Sequence, residues 1–372
     1  MDFGNLKYGA ITIDTNVFEK NGLKLEAGLF AKLEQFRYGK AHIVLSDIVV
    51  EELRIHLERK TEELYQKAKA VTEVGSTQLS LSTEVIGKLN LELRCNGTPS
   101  EIVNDRIVSF LTRCGASVIH AKDHVDVGRL VENYFASKPP FSDKKKTEFP
   151  DALALFSLEN WAKKNNIQIL AVSGDKDWMT FCETSEEIDC IEDLGKAISL
   201  FQPHNSASVM LANTLICTEQ SEMKEMLEQF LSDTVEAFDI IPEAHSDFYY
   251  DDQIEETTYI SYHPLFDNQG KPIIRVIDLE GCNITIECEI VLAFGVTCSF
   301  EFSIWDSIDK EYVKMGSSTE YQEVNLETGV LIEVMLEEDG SIHSISSIEL
   351  TETISSVEFG YVNPDWGDEE DI

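Results

Sequence analysis

The sequence predicts an α/β domain with a mostly parallel sheet, followed by a mostly-β domain of the sandwich type. Up to about residue 200, short apolar strands alternate with helical segments, the pattern of a parallel sheet. After Pro203 the chain changes to alternating runs separated by turn signals, which is typical of antiparallel sheets. The charge divides at the same place. Residues 1–200 hold 25 basic and 31 acidic side chains, whereas residues 201–372 hold 5 and 37.

The N-terminal elements follow from apolar runs and capping residues. YGAITI at 8–13 predicts a buried strand that ends in a polar turn at Asp14-Thr15-Asn16. AHIVL at 41–45 predicts a second strand, after which Ser46 or Asp47 can cap a helix running to about residue 74. We expect further helices at 25–37, 80–94, 99–113 and 126–136 and from Pro150, and further strands within 116–119, 167–172 and 188–194.

The acidic C-terminal part divides into three segments after an N-terminal domain of residues 1–203. We expect an acidic helix (218–240) and a linker (242–256) within 204–256, an all-β domain at 257–362, and a disordered acidic tail at 363–372. Its net charge of −32, out of −38 for the whole chain, would repel phosphates. This part is therefore excluded as a general nucleic-acid binder.

Targeting signals and metal-binding cysteine pairs are not evident. The N-terminus lacks the basic and apolar regions of a signal peptide, and no apolar run approaches the roughly 18 residues of a membrane span. None of the 8 cysteines forms a CxxC pair, which argues against a zinc ribbon. We expect a cytoplasmic protein with reduced thiols and no membrane partner.

Acidic residues follow the predicted strands of the first domain, and they carry its candidate chemistry. Asp14 follows the first strand, Glu51 and Glu52 begin the helix after the second, Asp151 opens a helix, and Asp175 and Asp177 follow the strand ending in AVSG. The carboxyl ends of parallel strands share one edge of a sheet, where ligands bind. Clustered carboxylates repel each other, and Mg²⁺ or Mn²⁺ would remove that conflict. The pattern is compatible with a metal-dependent phosphodiesterase. From spacing alone the alternative stays open that these acids are only helix caps.

These segments resemble the four successive acidic motifs of the PIN-domain nucleases. The motifs are ITIDTNVF, LSDIVVEELRIHL, FPDALALFSL and ILAVSGDKDW, and the resemblance covers roughly residues 8–200. It implies a Rossmann-like fold, an Mg²⁺ or Mn²⁺ site, and endonuclease activity on RNA or, less often, single-stranded or flapped DNA. The long segment at 75–140 resembles the larger variants with a helical insertion.

The resemblance also assigns individual residues. Asp14, Glu52, Asp151 and Asp175 match the four catalytic and metal-binding acids, with Glu51 as the alternative to Glu52; Asp177 is an auxiliary metal ligand, and Asn16 and Ser173 are supporting polar residues. Trp178 replaces the commoner phenylalanine, which we interpret as an apolar exchange without chemical consequence. Lys144, Lys145, Lys146 and Lys176 are candidate contacts to the substrate backbone, with solvated loop lysines as the alternative.

Two questions stay open at this level. The rival to a ribonuclease is a catalytically silent PIN-like scaffold or interaction protein. The C-terminal module could bind a protein partner or self-associate, restrain the nuclease by autoinhibition, or serve only solubility and assembly. Partner binding is slightly favoured, since it is a common use of an appended β domain.

Overall fold

The computed structural model describes residues 7–78, 80–95, 97–141, 149–202, 222–337 and 342–365. The chain forms two compact units, Met1–Pro203 and His204–Ile372. None of the described helices combines the length and the apolar character that crossing a membrane requires.

The N-terminal unit is built on a five-stranded parallel sheet with the strand order β3-β2-β1-β4-β5. Its strands are β1 (Ala10–Ile13), β2 (His42–Ser46), β3 (Ser117–Ile119), β4 (Ile169–Val172) and β5 (Ile188–Ile191). All four residues of β1 and of β4 are buried, as expected for central strands covered on both faces. The parallel α/β class predicted for this half is confirmed.

Helices connect these strands. They are α1 (Thr15–Lys20), α2 (Gly28–Lys32), α3 (Asp47–Gln78), α4 (Thr83–Cys95), α5 (Pro99–Cys114), α6 (Ala121–His124), α7 (Val127–Phe135), α8 (Phe149–Asn165), α9 (Lys176–Cys182) and α10 (Leu194–Ser199), with a 3-10 helix at Leu33–Arg37. The polar turn predicted after β1 was wrong, because Asp14 caps α1 there. The 32 residues of α3 give a helix about 48 Å long, and α4 to α7 follow it before α8.

The C-terminal unit is rich in antiparallel strands, as predicted. It contains a five-stranded sheet of order β11-β10-β9-β7, with β8 also paired to β9, and a two-stranded parallel sheet of β12 and β6. The strands are β6 (Ile241–His245), β7 (Tyr249–Pro264), β8 (Ile274–Glu280), β9 (Asn283–Asp306), β10 (Glu311–Leu336), β11 (Ile342–Leu350) and β12 (Ser356–Tyr361). A helix, α11 (Glu222–Glu236), precedes them.

The core of this unit follows from strict alternation along β9. Every second residue from Ile284 to Phe302 is buried and belongs to an apolar cluster, because successive side chains of a strand point to opposite faces. Leu227, Leu231 and Val235 of α11 cover one part of this face. The part of this β9 face near Phe302 is covered instead by residues that include Val362.

The prediction of a linker at 242–256 was wrong, because this segment holds most of β6 and the first half of β7. Its acidic residues lie among side chains that pack inward: the Tyr250 ring lies 5.6 Å from that of Phe300. Of the tail predicted at 363–372, residues 366–372 lie outside the described part of the chain.

Candidate active site

Asp14 lies at the carboxyl end of β1 and is held there by two hydrogen bonds. Its Oδ1 accepts a hydrogen bond from the backbone N–H of Thr15 at 2.7 Å, and its Oδ2 accepts one from the Ser173 hydroxyl at 2.6 Å. Ser173 follows β4, which pairs with β1 in parallel register. The two strand ends therefore adjoin, and Asp14 is only 5% exposed.

Ser173 also links the first acidic segment to the last one. Its hydroxyl oxygen accepts hydrogen bonds from the Asn16 side-chain amide at 3.3 Å and from the backbone N–H of Asp175 at 3.0 Å. Asp175 caps α9 by accepting a hydrogen bond from the backbone N–H of Asp177 at 2.6 Å. One buried hydroxyl thus fixes the spacing between Asp14 and the Asp175 segment.

The structure places the two glutamates of the second motif differently. The Glu52 carboxylate accepts a hydrogen bond from the Thr15 hydroxyl at 2.8 Å, one residue from Asp14. The Glu51 carboxylate instead pairs with Arg54 at 3.3 Å, and its side chain is 64% exposed. Of the two, Glu52 is the one brought to the Asp14 segment.

Asp151 lies in the first turn of α8 and contacts the last motif through Trp178. The indole N–H of Trp178 donates a hydrogen bond to Asp151 Oδ1 at 2.9 Å, and Trp178 is fully buried. The sequence interpretation of Trp178 as a mere apolar exchange was therefore wrong. Phenylalanine has no N–H to donate, so this residue orients an acid as well as packing.

The buried Asp14 carboxyl lies near several other negative charges. The pKa of Asp14 is raised to about 7, chiefly by burial and additionally by the negative charges of Asp151 and Asp175. The hydrogen bonds from Ser173 and from the Thr15 backbone lower the pKa but do not compensate. Asp14 thus lies in the electrostatic field of Asp151 and Asp175.

Asp151 experiences the same environment. Burial raises its pKa, the hydrogen bond from Trp178 opposes that shift, and the charges of Glu52, Asp175 and Asp177 raise the pKa again. Acids from all four motifs therefore interact electrostatically at the carboxyl edge of the sheet. This edge combines hard oxygen donors with excess negative charge, which is the environment that a divalent cation would relieve.

The acids of this site suit Mg²⁺ or Mn²⁺ by their chemistry rather than by forming a complete coordination shell. Across the ranges that the structure describes, no three His, Cys, Asp or Glu side chains are grouped closely enough to hold an ion. Mg²⁺, however, usually keeps several waters and binds through only one or two carboxylates. The all-oxygen donor set of these acids fits such an ion.

The candidate substrate-binding lysines fall in two places. Lys176 is exposed in the first turn of α9, directly after Asp175. Lys144, Lys145 and Lys146 lie outside the described residues. Sequence reasoning had missed the hydroxyl of Thr15 and the indole of Trp178, although each lies inside a motif and beside a predicted acid.

Comparison with known protein families gives a match. The family model described as "PIN domain" matches residues 11–178. The matched span begins in β1 and ends at Trp178, so it includes the elements that carry the acids. Comparisons with curated proteins and with solved structures find no match.

Proposed function

Because the N-terminal unit of this chain belongs to the PIN-domain family, we propose that it is a metal-dependent endonuclease that hydrolyses phosphodiester bonds. RNA is the first candidate substrate, and single-stranded DNA is the second. The observation that carries the proposal is the convergence of acids from four separate elements at one edge of the sheet. We place the protein in the cytoplasm.

Each acid has a distinct place in the proposed site. Asp14, Glu52, Asp151 and Asp175 would hold one or two Mg²⁺ or Mn²⁺ ions, with Asp177 as an auxiliary ligand. When bound, such an ion supplies Lewis-acid chemistry, namely activation of a water for attack on phosphorus and neutralisation of charge on the leaving oxygen.

The neighbouring polar residues position these acids. Ser173 fixes Asp14 and the start of the Asp175 turn, with Asn16 bonded to the same hydroxyl. Trp178 orients Asp151. We assign Lys176 to the phosphate backbone of the substrate, together with Lys144, Lys145 and Lys146 of the sequence that precedes α8.

The test is incubation of the full chain with end-labelled RNA, single-stranded DNA and double-stranded DNA, in Mg²⁺, in Mn²⁺ or in EDTA. We expect cation-dependent cleavage of RNA that falls at least about a hundredfold in Asp14→Asn and in Glu52→Gln. Glu51→Gln is the matched control, since it removes a charge from the adjacent, exposed residue. It should cleave like the wild type.

Two outcomes would count against the proposal. Wild-type protein that binds no divalent cation in calorimetry and cleaves none of the substrates would favour the silent scaffold. Equal losses in Glu51→Gln and Glu52→Gln would show that negative charge on α3, rather than the residue that contacts Thr15, matters.

For the C-terminal unit we propose protein binding or self-association. The support is the end of the β9–β10 hairpin, where Trp305, Ile308 and Tyr312 are 46%, 86% and 56% exposed. Exposed apolar clusters of this kind often mark interaction surfaces. Sedimentation and pull-down of residues 204–372 should give a complex that Ile308→Ser weakens. Autoinhibition predicts instead that residues 1–203 alone cleave faster than the full chain.

A further inference from the structure

An aromatic cluster joins the end of α7 to the start of α8. The Tyr134 ring centre lies 4.9 Å from that of Phe149, 5.4 Å from that of Phe141 and 5.3 Å from that of Phe135. Phe141 and Phe149 are in contact at 5.2 Å. The cluster thus consists of rings packed around Tyr134, contributed by two helices and the segment between them.

The cluster includes a ring from the helix turn that also carries Asp151. Arg129 of α7 pairs with Glu159 in the second half of α8, whereas Tyr134 meets Phe149 at the start of α8. The end of α7 is therefore next to the first turn of α8, which also contains Asp151. Phe149 and Asp151 share this turn, with Cα atoms about 5.5 Å apart by helix geometry, but their side chains project to different sides of the helix.

The rings of this cluster are unequally buried. Phe141 is 4% exposed and anchors the cluster, whereas Phe149 is 38% and Phe135 80% exposed. Leaving most of a phenylalanine ring in water forgoes the stabilisation that its burial would give. Phe149 nevertheless packs against Tyr134 and Phe141, and Phe135 packs against Tyr134. The exposed rings therefore present a supported apolar surface at the start of α8.

We propose that Phe135 and Phe149 form a stacking platform for unpaired bases of a single-stranded nucleic acid, next to the acids that would act on its backbone. This inference rests on the proposed nuclease function. Aromatic rings bind successive bases through stacking, and every base has a face that can stack. In a duplex these faces are already stacked against neighbouring bases. The platform therefore favours single strands and gives no sequence preference.

Stacking would also allow this protein to bind nucleic acid without a strongly positive surface. The first 200 residues carry a net charge of −6, so long-range attraction of phosphates is weak. Binding through rings does not release counterions. We therefore expect an affinity for single strands that changes less with salt than that of a basic nucleic-acid-binding surface.

The test measures binding without cleavage, with the full chain in EDTA. The probes are a labelled 12-mer of uridine, the same 12-mer with a central 2-aminopurine, and a hairpin duplex. We expect Phe135→Ala and Phe149→Leu each to weaken single-strand binding about tenfold. Quenching of 2-aminopurine, which reports stacking, should be lost in Phe135→Ala.

Tyr38→Ala is the matched control. Tyr38 is 85% exposed and has Arg37 over its ring, but it precedes β2 and so lies where the strands begin, opposite the acids. Its replacement should leave binding unchanged. Thermal unfolding checks that each variant folds, and Phe135 is so exposed that its loss should leave the unfolding temperature unchanged.

The outcomes separate the two proposals. Single-strand binding that depends on Phe135, in a protein that never cleaves, would leave the platform standing and remove the nuclease function. Cleavage with wild-type-like binding in both phenylalanine variants would do the reverse. Equal affinity of the wild type for single strand and duplex, or no binding of either, would also overturn the platform.

Discussion

Replacing Asp14 by asparagine should stabilise the cation-free protein above pH 7 and slightly destabilise it at pH 4. The pKa of Asp14 is raised from 3.8 to about 7, chiefly by burial. Between these values the folded state keeps a proton that the unfolded chain has lost, so stability falls as pH rises. Below pH 4 both states are protonated, and Asp14 contributes no pH dependence.

The size of the effect follows from this shift. At about 1.4 kcal/mol for each pKa unit, the wild type loses about 4 kcal/mol of stability by pH 8 through this one carboxyl. Asparagine cannot ionise, but its amide cannot accept at both oxygen positions of Asp14, which costs about 1 kcal/mol. The variant should thus be about 3 kcal/mol more stable at pH 8 and about 1 kcal/mol less stable at pH 4.

The assay is chemical and thermal unfolding in EDTA at pH 4 to 8.5, followed by tryptophan fluorescence. For a domain of this size, each kcal/mol of added stability raises the unfolding temperature by roughly 2–4 °C. Asp105→Asn, at an exposed position of α5, controls for the loss of one negative charge. Parallel pH profiles for wild type and Asp14→Asn would refute the reasoning.

Three further perturbations test other parts of the structure. Ser173→Ala should destabilise the protein by about 1–3 kcal/mol through lost hydrogen bonds, and should raise the pKa of Asp14 further in carboxyl NMR titrations, because the Ser173 hydroxyl lowers it; an unchanged titration would contradict this. Adding 1 mM Mn²⁺ at pH 8 should raise the unfolding temperature of the wild type but not of Asp14→Asn, and equal shifts would argue against cation binding by this acid. Arg275→Met should cost about 3–5 kcal/mol in denaturant unfolding of the C-terminal unit, since it strands the buried carboxylate of Glu287. Lys314→Met, at an exposed ion pair, should cost less than about 1 kcal/mol, and similar losses in both would contradict the role of burial.

The parallel core and the edge that carries the acids could be predicted from sequence. Short apolar runs such as AITI and ILAV are buried on both faces. Once such strands are parallel, the residues after them must meet at one edge. Lateral contacts could not be predicted, because the hydrogen bonds Thr15–Glu52 and Trp178–Asp151 span 37 and 27 residues. The sequence spacing of these residues does not indicate that they are hydrogen-bonded.

The segment 242–256 shows a different limit. The sequence predicts a linker here, and the segment is rich in acidic residues. Its residues pair with β9 through the backbone, from Tyr249 opposite Ser303 onward, and backbone pairing is indifferent to side-chain charge. The aromatic rings at alternate positions, Phe248 and Tyr250, were the available signal. They pack against Phe302.

The long hairpin of β9 and β10 has a consequence for how the C-terminal unit folds. Its pairing starts at Asp306 opposite Glu311 and continues to Asn283 opposite Met335. Only a short turn must close first, and each later pair forms beside one that already exists, so loop-closure entropy stays small. Pairings that are this local form fast. The largest sheet contact of the C-terminal unit can therefore form progressively from the turn outward.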